Sequence, residues 1–332
     1  MATVTSYAPI NLVDPSTWTG QLVSASSTQF VVSDGYNQAV YSGYGFSFYG
    51  NYLVGGTLTG FSQYQDGYQM GSITGFSMSA TQAADYIQAN NLAGMLSIAL
   101  SRGDKINGSD YADKLAGYDG NDTIRGYGGD DTIYGDGGND YIDPGTGSNY
   151  VDGGTGTDTV DLVSSVSNFL IRRSGGTIEV RDNAGTIYDT LVRVERLHFS
   201  EGTLAFDTDG TAGQTYRLYQ AAFNRTPDKG GLSAWVNALE NGGWNFRDVA
   251  AYFAASDEFR YLYGSNLSNS QFVARLYQNV LHRDGDPGGF AYWVGQLDSG
   301  INSRGDVLLR MSDSPENKAG VAAAISDGIW LT

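Results

Sequence analysis

The sequence contains no cysteine, only two histidines and only six prolines among its 332 residues. The absence of cysteine excludes disulfide bonds and thiolate zinc sites. Basic residues are also scarce, because 19 Lys and Arg stand against 36 Asp and Glu, for a formal net charge of −17. Phosphate groups are bound by Lys and Arg, so this balance argues against a nucleic acid partner. The acidic excess instead suits a solvated surface or a surface that binds metal ions.

Long apolar runs are missing as well. No uncharged apolar stretch approaches the roughly 20 residues that a membrane-spanning helix needs, so we expect no transmembrane segment. The first residues, MATVTSYAPINLVDPS, lack a basic segment followed by an apolar run, so we expect no cleaved N-terminal signal. These absences alone would indicate a cytoplasmic protein, an interpretation that the repeat described below overturns.

Charge is almost absent from residues 1–98, whose only charged side chains are four aspartates. Runs such as TQFVV (28–32) and YGFSFYG (44–50) lie between Gly and Asn residues and predict β-strands. The segment GTLTGFS (56–62) recurs as GSITGFS (71–77), which predicts two equivalent strands. Residues 80–100 have helical spacing. We therefore predict a β-rich N-terminal domain of low charge over residues 1–98.

A nine-residue repeat dominates residues 101–162. An aspartate precedes an aliphatic residue by two positions at six places, and an asparagine takes the aspartate's place at a seventh. In sequence order these residues are Asp104, Asp113, Asp122, Asp131, Asp140, Asn149 and Asp158. A flexible linker has no reason to keep an aliphatic residue at seven successive positions, so we interpret the segment as a folded repeat.

The physical chemistry of this repeat predicts a metal site. Each nonapeptide combines a short strand, whose aliphatic side chain points inward, with a turn in which glycine permits positive φ angles. Two nonapeptides make one coil, so equivalent loops stack about 4.8 Å apart and bring Asp104 near Asp122 and Asp113 near Asp131. Such like charges repel unless a cation lies between them. Ca²⁺, which takes roughly 6–8 oxygen ligands, suits these loops better than Mg²⁺.

The pattern resembles the GGxGxDxUx signature of RTX proteins, in which U is aliphatic and the repeat forms a calcium-binding parallel β-roll. The resemblance implies several Ca²⁺ ions held by aspartates and by loop carbonyls. The candidate ligands are Asp104, Asp113, Asp119, Asp122, Asp131, Asp140, Asn149 and Asp158, with the carbonyls of Gly117, Gly126, Gly128, Gly135 and Gly137. Asn149 has no carboxylate and Pro144 replaces a glycine, so we expect the Asp131/Asn149 site to be weakened or capped.

The remaining residues divide into a β segment and a helical duplication. The stretch VRVERLHFSEGTLAFD (192–207) resembles the β segment that closes an RTX roll. RLYQAAFNRTPDKGGLSAWV (217–236) recurs as RLYQNVLHRDGDPGGFAYWV (275–294) and resembles a helical domain of unknown function found in many secreted bacterial proteins. The predicted fold class is thus multidomain, β plus α. After the N-terminal domain we predict a β-roll at 99–162, a β closing segment at 163–212, a duplicated helical domain at 213–320 and a tail at 321–332.

Calcium dependence predicts a location outside the cell. Extracellular calcium modules bind at roughly 10⁻⁴–10⁻³ M, so the roll would stay unfolded in the cytosol and fold outside it. The RTX resemblance therefore implies an extracellular or cell-surface protein, exported through the bacterial type I channel without a cleaved N-terminal signal. The tail VAAAISDGIWLT (321–332) is compatible with an uncleaved C-terminal secretion signal and equally with a plain terminal helix.

Catalytic motifs are not found in the sequence. Neither His198 nor His282 lies in an HExxH zinc helix, and there is no GxSxG nucleophile elbow. We interpret His198 as a strand residue, His282 as a residue that caps a helix or faces solvent, and Asp286 as a turn or cap residue. We therefore predict that the protein is not an enzyme, with an RTX hydrolase of unfamiliar site as the less favoured alternative.

Two functions compete. An N-terminal region with little charge lacks the repulsion that keeps proteins monomeric, and exposed β edges can pair between chains. These features predict a structural protein of a surface layer, filament or biofilm matrix that forms homo-oligomers or polymers under calcium control. The alternative is a calcium-dependent adhesin whose tyrosines and tryptophans bind cell-surface polysaccharide. The helical spacing of Trp235 and Trp293 instead predicts core positions for these two.

Overall fold

A computed structural model describes residues 1–13, 15 and 20–332 of the chain. Asp14, one of the four aspartates of the N-terminal region, therefore lies outside the described residues. The contacts divide the protein into two compact units, Met1–Ser200 and Glu201–Thr332. The domain boundaries predicted from the sequence stay predictions.

An antiparallel sheet forms the first part of unit one. Its strands are β1 (Thr3–Ser6), β2 (Gln21–Ala25), β3 (Gln29–Ser33), β4 (Asn37–Tyr49), β5 (Tyr52–Gln65) and β6 (Tyr68–Ser79), in the spatial order β1-β6-β5-β4-β3-β2. The two related segments predicted as equivalent strands lie in β5 and β6, which are antiparallel neighbours with Phe61 opposite Ile73. The prediction of a β-rich N-terminal part is confirmed.

Two helices cover part of this sheet. Ser79 and Asn91 cap the N-termini of helices α1 (Ala80–Gln88) and α2 (Leu92–Ala99), and their side chains accept hydrogen bonds from backbone N–H groups of the first turn. The apolar cluster that they form with the sheet is built on Phe46, Leu58, Met78, Ala83 and Met95. The helical spacing of residues 80–100 therefore corresponds to two helices with a break between them.

The nonapeptides form seven short strands. They are β7 (Lys105–Asn107), β8 (Lys114–Ala116), β9 (Thr123–Arg125), β10 (Thr132–Tyr134), β11 (Tyr141–Asp143), β12 (Tyr150–Asp152) and β13 (Thr159–Asp161). Odd-numbered strands pair in parallel along one wall and even-numbered strands along the other, with Ile106 opposite Ile124 and Ile133 opposite Val151. The central aliphatic side chains are 0% exposed, so they form the core of the predicted roll. Positive φ angles occur in its turns, as at Gly120 (135°).

Segments outside the repeat extend the roll at both ends. At its C-terminal end follow β14 (Phe169–Ser174), β15 (Thr177–Asp182), β16 (Tyr188–Val192) and β17 (Arg196–Phe199). Strand β16 pairs in parallel with β12, and β17 pairs in parallel with β13. At the N-terminal end β1 pairs in parallel with β7, and the N–H of Leu12 donates to the carbonyl of Lys114 at 2.7 Å. The chain's first residues thus form the coil that precedes the repeat, which the sequence analysis did not predict.

Unit two is mainly helical. It contains strand β18 (Gly202–Ala205), helices α3 (Thr211–Phe223), α4 (Lys229–Glu240), α5 (Phe246–Ala255), α6 (Asp257–Tyr263), α7 (Asn269–Leu281), α8 (Pro287–Asp298), α9 (Arg304–Ser312) and α10 (Pro315–Val321), and strand β19 (Ile329–Leu331). Helices α7 to α10 repeat the order of α3 to α6, and Asp228 and Asp286 cap the equivalent helices α4 and α8. The cap interpretation of Asp286 is thus confirmed.

Several smaller predictions are resolved in this unit and in β17. His282 lies exposed at the C-terminal cap of α7, and His198 lies on β17, as interpreted. Trp235 and Trp293 are partly buried against the helical core. The alternative that the tail is a plain terminal helix is wrong, because Ile329–Leu331 form a strand that pairs with β18. Among the described residues, no helix has the length and apolar character that crossing a bilayer requires.

Candidate metal centre

The aspartates of the repeat accept hydrogen bonds along the roll. Oδ1 of Asp122 accepts the backbone N–H of Asp104 at 2.6 Å, and Oδ1 of Asp140 accepts that of Asp122 at 2.8 Å. In the same way, Oδ1 of Asp131 accepts the N–H of Asp113 at 2.8 Å, and Oδ1 of Asp158 accepts that of Asp140 at 2.9 Å. The predicted neighbours therefore do lie next to each other. One oxygen of each carboxylate meets a backbone donor, however, and only the second is left for a metal ion.

That second oxygen has no protein partner at most of these positions. Oδ2 is buried and accepts no hydrogen bond in Asp104, Asp122, Asp131, Asp140, Asp158 and Asp189. Each of these side chains is at most 2% exposed. Asp113 differs, because its Oδ2 accepts the N–H of Ser109 at 2.6 Å. An unpaired oxygen on a buried carboxylate is costly, so the roll requires a cation or a proton at these atoms.

A backbone carbonyl oxygen lies close to each of several unpaired carboxylate oxygens, beside a glycine. A Cβ atom added to Gly117 would lie 2.5 Å from Oδ2 of Asp122 and 2.6 Å from the carbonyl oxygen of Gly135. A Cβ atom at Gly126 would likewise meet Oδ2 of Asp131 and the carbonyl oxygen of Pro144. Carboxylate and carbonyl oxygens therefore converge on spaces that any side chain would fill. An all-oxygen donor set of this kind fits Ca²⁺.

Main-chain carbonyls must complete any metal site in this roll. Among the residues that the structure describes, no group of three or more His, Cys, Asp or Glu side chains is arranged to hold a metal ion. Of the remaining candidates, Asp119 is exposed on its loop, and the carbonyl of Gly137 accepts the N–H of Gly120 at 2.7 Å. Gly128 pairs with Thr146 on the neighbouring loop. As metal ligands, these three candidates stay predictions.

Asn149 caps one side of the roll. Its Oδ1 accepts the N–H of Asp131 at 2.9 Å, as an aspartate would. Its Nδ2 donates to Oδ1 of Asp189 at 2.8 Å. Asn149 therefore has an amide N–H donor where the aspartates of most other nonapeptides have an unpaired carboxylate oxygen. That the Asp131/Asn149 site is weakened or capped stays a prediction, which this contact supports.

Two acidic residues of the closing segment escaped the sequence analysis. The backbone N–H of Asn149 donates to Asp189, and that of Asp158 donates to Oε2 of Glu195 at 2.9 Å. Both acids precede a buried leucine by two positions, Leu191 and Leu197. The acid-x-aliphatic spacing of the repeat was therefore the signal that could have found them.

Burial changes the acidity of these carboxyl groups. It raises the pKa of Asp122 to about 8, that of Asp131 and Asp140 to about 7 and that of Asp158 to about 6, and neighbouring carboxylates add to the effect. Burial raises the pKa of Asp189 to about 7. The roll without metal ions therefore holds carboxyl groups that take up protons near neutral pH.

Comparison with known families agrees with this geometry. Residues 107–142 and 145–162 match the family model described as RTX calcium-binding nonapeptide repeat (4 copies). Residues 250–321 match the domain of unknown function DUF4214, from within helix α5 of the first helical copy to the end of helix α10. The RTX resemblance is thereby confirmed, and calcium is the ion that such repeats bind.

Comparison with whole proteins adds little. No curated protein matches the chain. Among solved structures, the extracellular lipase LipA from Serratia marcescens is 29% identical over 29% of this chain, with a TM-score of 0.17. The chain covers only 14% of that lipase, so nothing about its activity follows for this protein.

Proposed function

We propose that this protein is an extracellular structural protein that folds its roll on Ca²⁺ and self-assembles at a bacterial surface or in an extracellular matrix. The observation that carries the calcium dependence is the row of buried, unpartnered Oδ2 atoms close to backbone carbonyls. The carboxylate ligands of the proposal are Asp104, Asp122, Asp131, Asp140 and Asp158, with the carbonyls of Gly117, Gly126 and Gly135. Asp113, whose Oδ2 already accepts an N–H, stays a prediction together with Asp119, Asn149, Gly128 and Gly137.

Calcium binding supplies free energy of folding in this proposal. A site built from stacked coils exists only in the folded chain, so the affinity for Ca²⁺ adds to stability. Extracellular calcium modules bind at roughly 10⁻⁴–10⁻³ M, and such sites stay empty at cytosolic concentrations. This dependence supports export of an unfolded chain by type I secretion and folding outside the cell. The proposal assigns no catalytic activity.

The antiparallel sheet supports self-assembly. Its outer strand β2 pairs with β3, and in the described parts of the chain no other strand pairs with it. The β2 sequence QLVSA contains neither a charged residue nor a proline, and four of its five residues are exposed. Charges and prolines are the usual protection of an edge strand against pairing with another chain. A second copy of the protein is therefore the partner that this edge fits.

A charge placed on the edge tests this assembly. Val23 on β2 is 58% exposed, so the substitution Val23→Lys adds a charge to the edge without disturbing a core. We expect the wild type to show large particles by light scattering in millimolar calcium and monomers in chelator, and Val23→Lys to stay monomeric in both. The control Val163→Lys adds the same charge at an exposed valine that lies after β13, and it should assemble like the wild type.

The scattering results separate the two parts of the proposal. Monomeric wild-type protein at every calcium concentration would contradict assembly. Equal assembly of Val23→Lys and wild type would leave assembly in place and exclude the β2 edge. Calcium binding is measured separately, by dialysis against ⁴⁵Ca²⁺, and the absence of bound calcium would overturn the metal part.

A calcium-dependent glycan-binding role is the second candidate. Tyr49 and Tyr52 lie directly opposite each other at the turn between β4 and β5, and their side chains are 81% and 72% exposed. Exposed tyrosine rings of this kind can stack on sugar rings. A glycan array with wild type and with Tyr49→Ser/Tyr52→Ser tests this role. Calcium-dependent retention that the double variant loses would favour it, and equal retention would not.

A further inference from the structure

The closing segment continues the carboxylate row with residues outside the nonapeptides. Strand β17 extends the wall of β13, with Leu197 opposite Val160. The N–H of Asp158 donates to Glu195 at 2.9 Å, just as the N–H of Asp140 donates to Asp158 at the same distance. Glu195 therefore takes the next position along this row, although the nonapeptide match ends at residue 162.

Oxygen atoms converge at this end as they do within the repeat. Asp158 is 0% exposed, and its Oδ2 is buried without a hydrogen-bond partner. A Cβ atom added to Gly153 would lie 2.6 Å from this Oδ2 and would also collide with the carbonyl oxygen of Arg193. Gly117 stands in the same relation to Asp122 and a carbonyl. The space beside Gly153 thus has the same construction as the spaces inside the repeat.

Arg193 is held in the conformation that this site needs. Its φ angle is 50°, in the left-handed region that side-chain-bearing residues rarely adopt. The guanidinium Nε and Nη2 donate to Oδ1 and Oδ2 of Asp152 at 2.7 and 2.6 Å. This two-point contact anchors Arg193 on the last even-numbered strand of the repeat and fixes its carbonyl near Asp158.

We propose that a Ca²⁺ site lies at this end of the roll, with Oδ2 of Asp158, the carbonyl of Arg193 and the carboxylate of Glu195 as ligands. The ion neutralises Asp158, whose Oδ2 is unpaired and which lies in the last nonapeptide of the repeat. It also joins the closing segment to the last nonapeptide, so that this end of the roll is sealed only when calcium is present. The inference rests on the proposed loading of the repeat with calcium.

Counting bound calcium tests the site in the full-length protein. Native mass spectrometry after calcium loading gives the number of ions per chain. We expect Glu195→Gln and Gly153→Ala each to bind one ion fewer than the wild type. Glu195→Gln keeps an acceptor for the N–H of Asp158, and Gly153→Ala fills the space with a methyl group. The control Gly295→Ala adds the same methyl group in helix α8 and should bind the full number, because its Cβ would have no atom within 4 Å.

The calcium counts of the wild type and the variants test the terminal site and the proposed function separately. A full count in Glu195→Gln and in a folded Gly153→Ala would overturn the terminal site. If circular dichroism shows that Gly153→Ala does not fold in calcium, the count in Glu195→Gln decides alone. A wild-type chain that binds no calcium would overturn the proposed function itself, whereas a wild type with calcium and unchanged variants would overturn only the terminal site.

Discussion

The roll and the helical unit both bury carboxylates, but they neutralise them in opposite ways. In the helical unit Arg217, whose side chain is 2% exposed, donates to Asp313 at 3.0 and 2.6 Å, and Arg247 donates to the buried Asp306 at 2.6 Å. In the roll Oδ2 of Asp122 and of its equivalents is buried without any partner. The helical unit therefore carries its own counter-charges. In the roll Arg193 neutralises Asp152, but the unpaired Oδ2 atoms of the aspartate row depend on cations from solution.

Calcium removal should produce the largest difference between the roll and the helical unit. In excess chelator we expect the amides of β7 to β13 to lose their protection from hydrogen exchange, because repulsion and desolvation of the aspartates are then unopposed. The amides of α3 to α10 should keep theirs. Hydrogen–deuterium exchange with mass spectrometry on the full chain measures both regions at once. Equal protection of the roll in calcium and in chelator would show that the aspartates need no cation.

Acid should partly replace calcium in the roll. An aspartate in an unfolded chain has a pKa of about 3.9, whereas burial raises the pKa of Asp122 to about 8 and of Asp140 to about 7 in the fold. A carboxyl with a raised pKa favours the folded state fully below the lower value and loses this contribution as pH rises through the higher one. In chelator we therefore expect the roll to be more ordered at pH 4–5 than at pH 8.

In calcium the pH dependence should reverse, because protons compete with Ca²⁺ for the same oxygens. Hydrogen exchange of β7 to β13, corrected for the intrinsic effect of pH on exchange rates, is the measurement. The helical amides serve as the internal control. Order in chelator that increases from pH 5 to pH 8 would have the wrong sign and would contradict the role of buried, protonatable carboxyl groups.

Removal of a buried counter-charge should destabilise the helical unit, as calcium removal should destabilise the roll. Arg217→Ala removes a buried side chain that donates to Asp313 and to the carbonyl of Thr208, and we expect a loss of about 3 kcal/mol in the free energy of unfolding. Lys318 stays 3.4 Å from Asp313 in the variant. Arg275 occupies the equivalent position of the second copy but is exposed, so Arg275→Ala should cost only about 0.5 kcal/mol. Urea unfolding followed by tryptophan fluorescence reports on this unit. Equal losses in the two variants would contradict the special role of burial.

The exposed ion pair of the first helical copy should matter least. Arg225 donates to Glu258 at 2.7 Å, and both side chains are more than 40% exposed. Solvent screens such pairs, so Arg225→Ala should cost less than about 1 kcal/mol in the same urea assay. A loss as large as that of Arg217→Ala would show that counter-charge location does not decide stability in this unit.

The period of nine carried most of what could be predicted about the roll. It placed an aliphatic side chain at the centre of each strand and put Asp104 beside Asp122. It did not reveal that the backbone N–H of one aspartate donates to Oδ1 of the equivalent aspartate one coil further on. Periodicity gives the position of a residue and not the direction of its side chain. The caps at Asp189 and Glu195 were missed because the closing segment keeps the acid-x-aliphatic spacing but abandons the period of nine.

The start of the roll could not be predicted at all. Ala2 and Ile10 donate their backbone N–H groups to Oδ1 of Asp104 and Asp113, across a separation of about 100 residues in the chain. Such a contact leaves no periodic trace, because a single strand of ordinary composition can cap any open sheet end. It joins the antiparallel sheet to the roll, and no local pattern in residues 1–12 indicates it.

The order of the residues alone was enough to set the repeat, its inward aliphatic row, the choice of calcium and the doubling of the helical region, because each is a local or periodic property. The pairing of distant segments decided the rest. Which oxygen of each carboxylate stays unpaired, which carbonyls lie beside it and which residues close the roll depend on contacts between coils, and these exist only once the chain has folded.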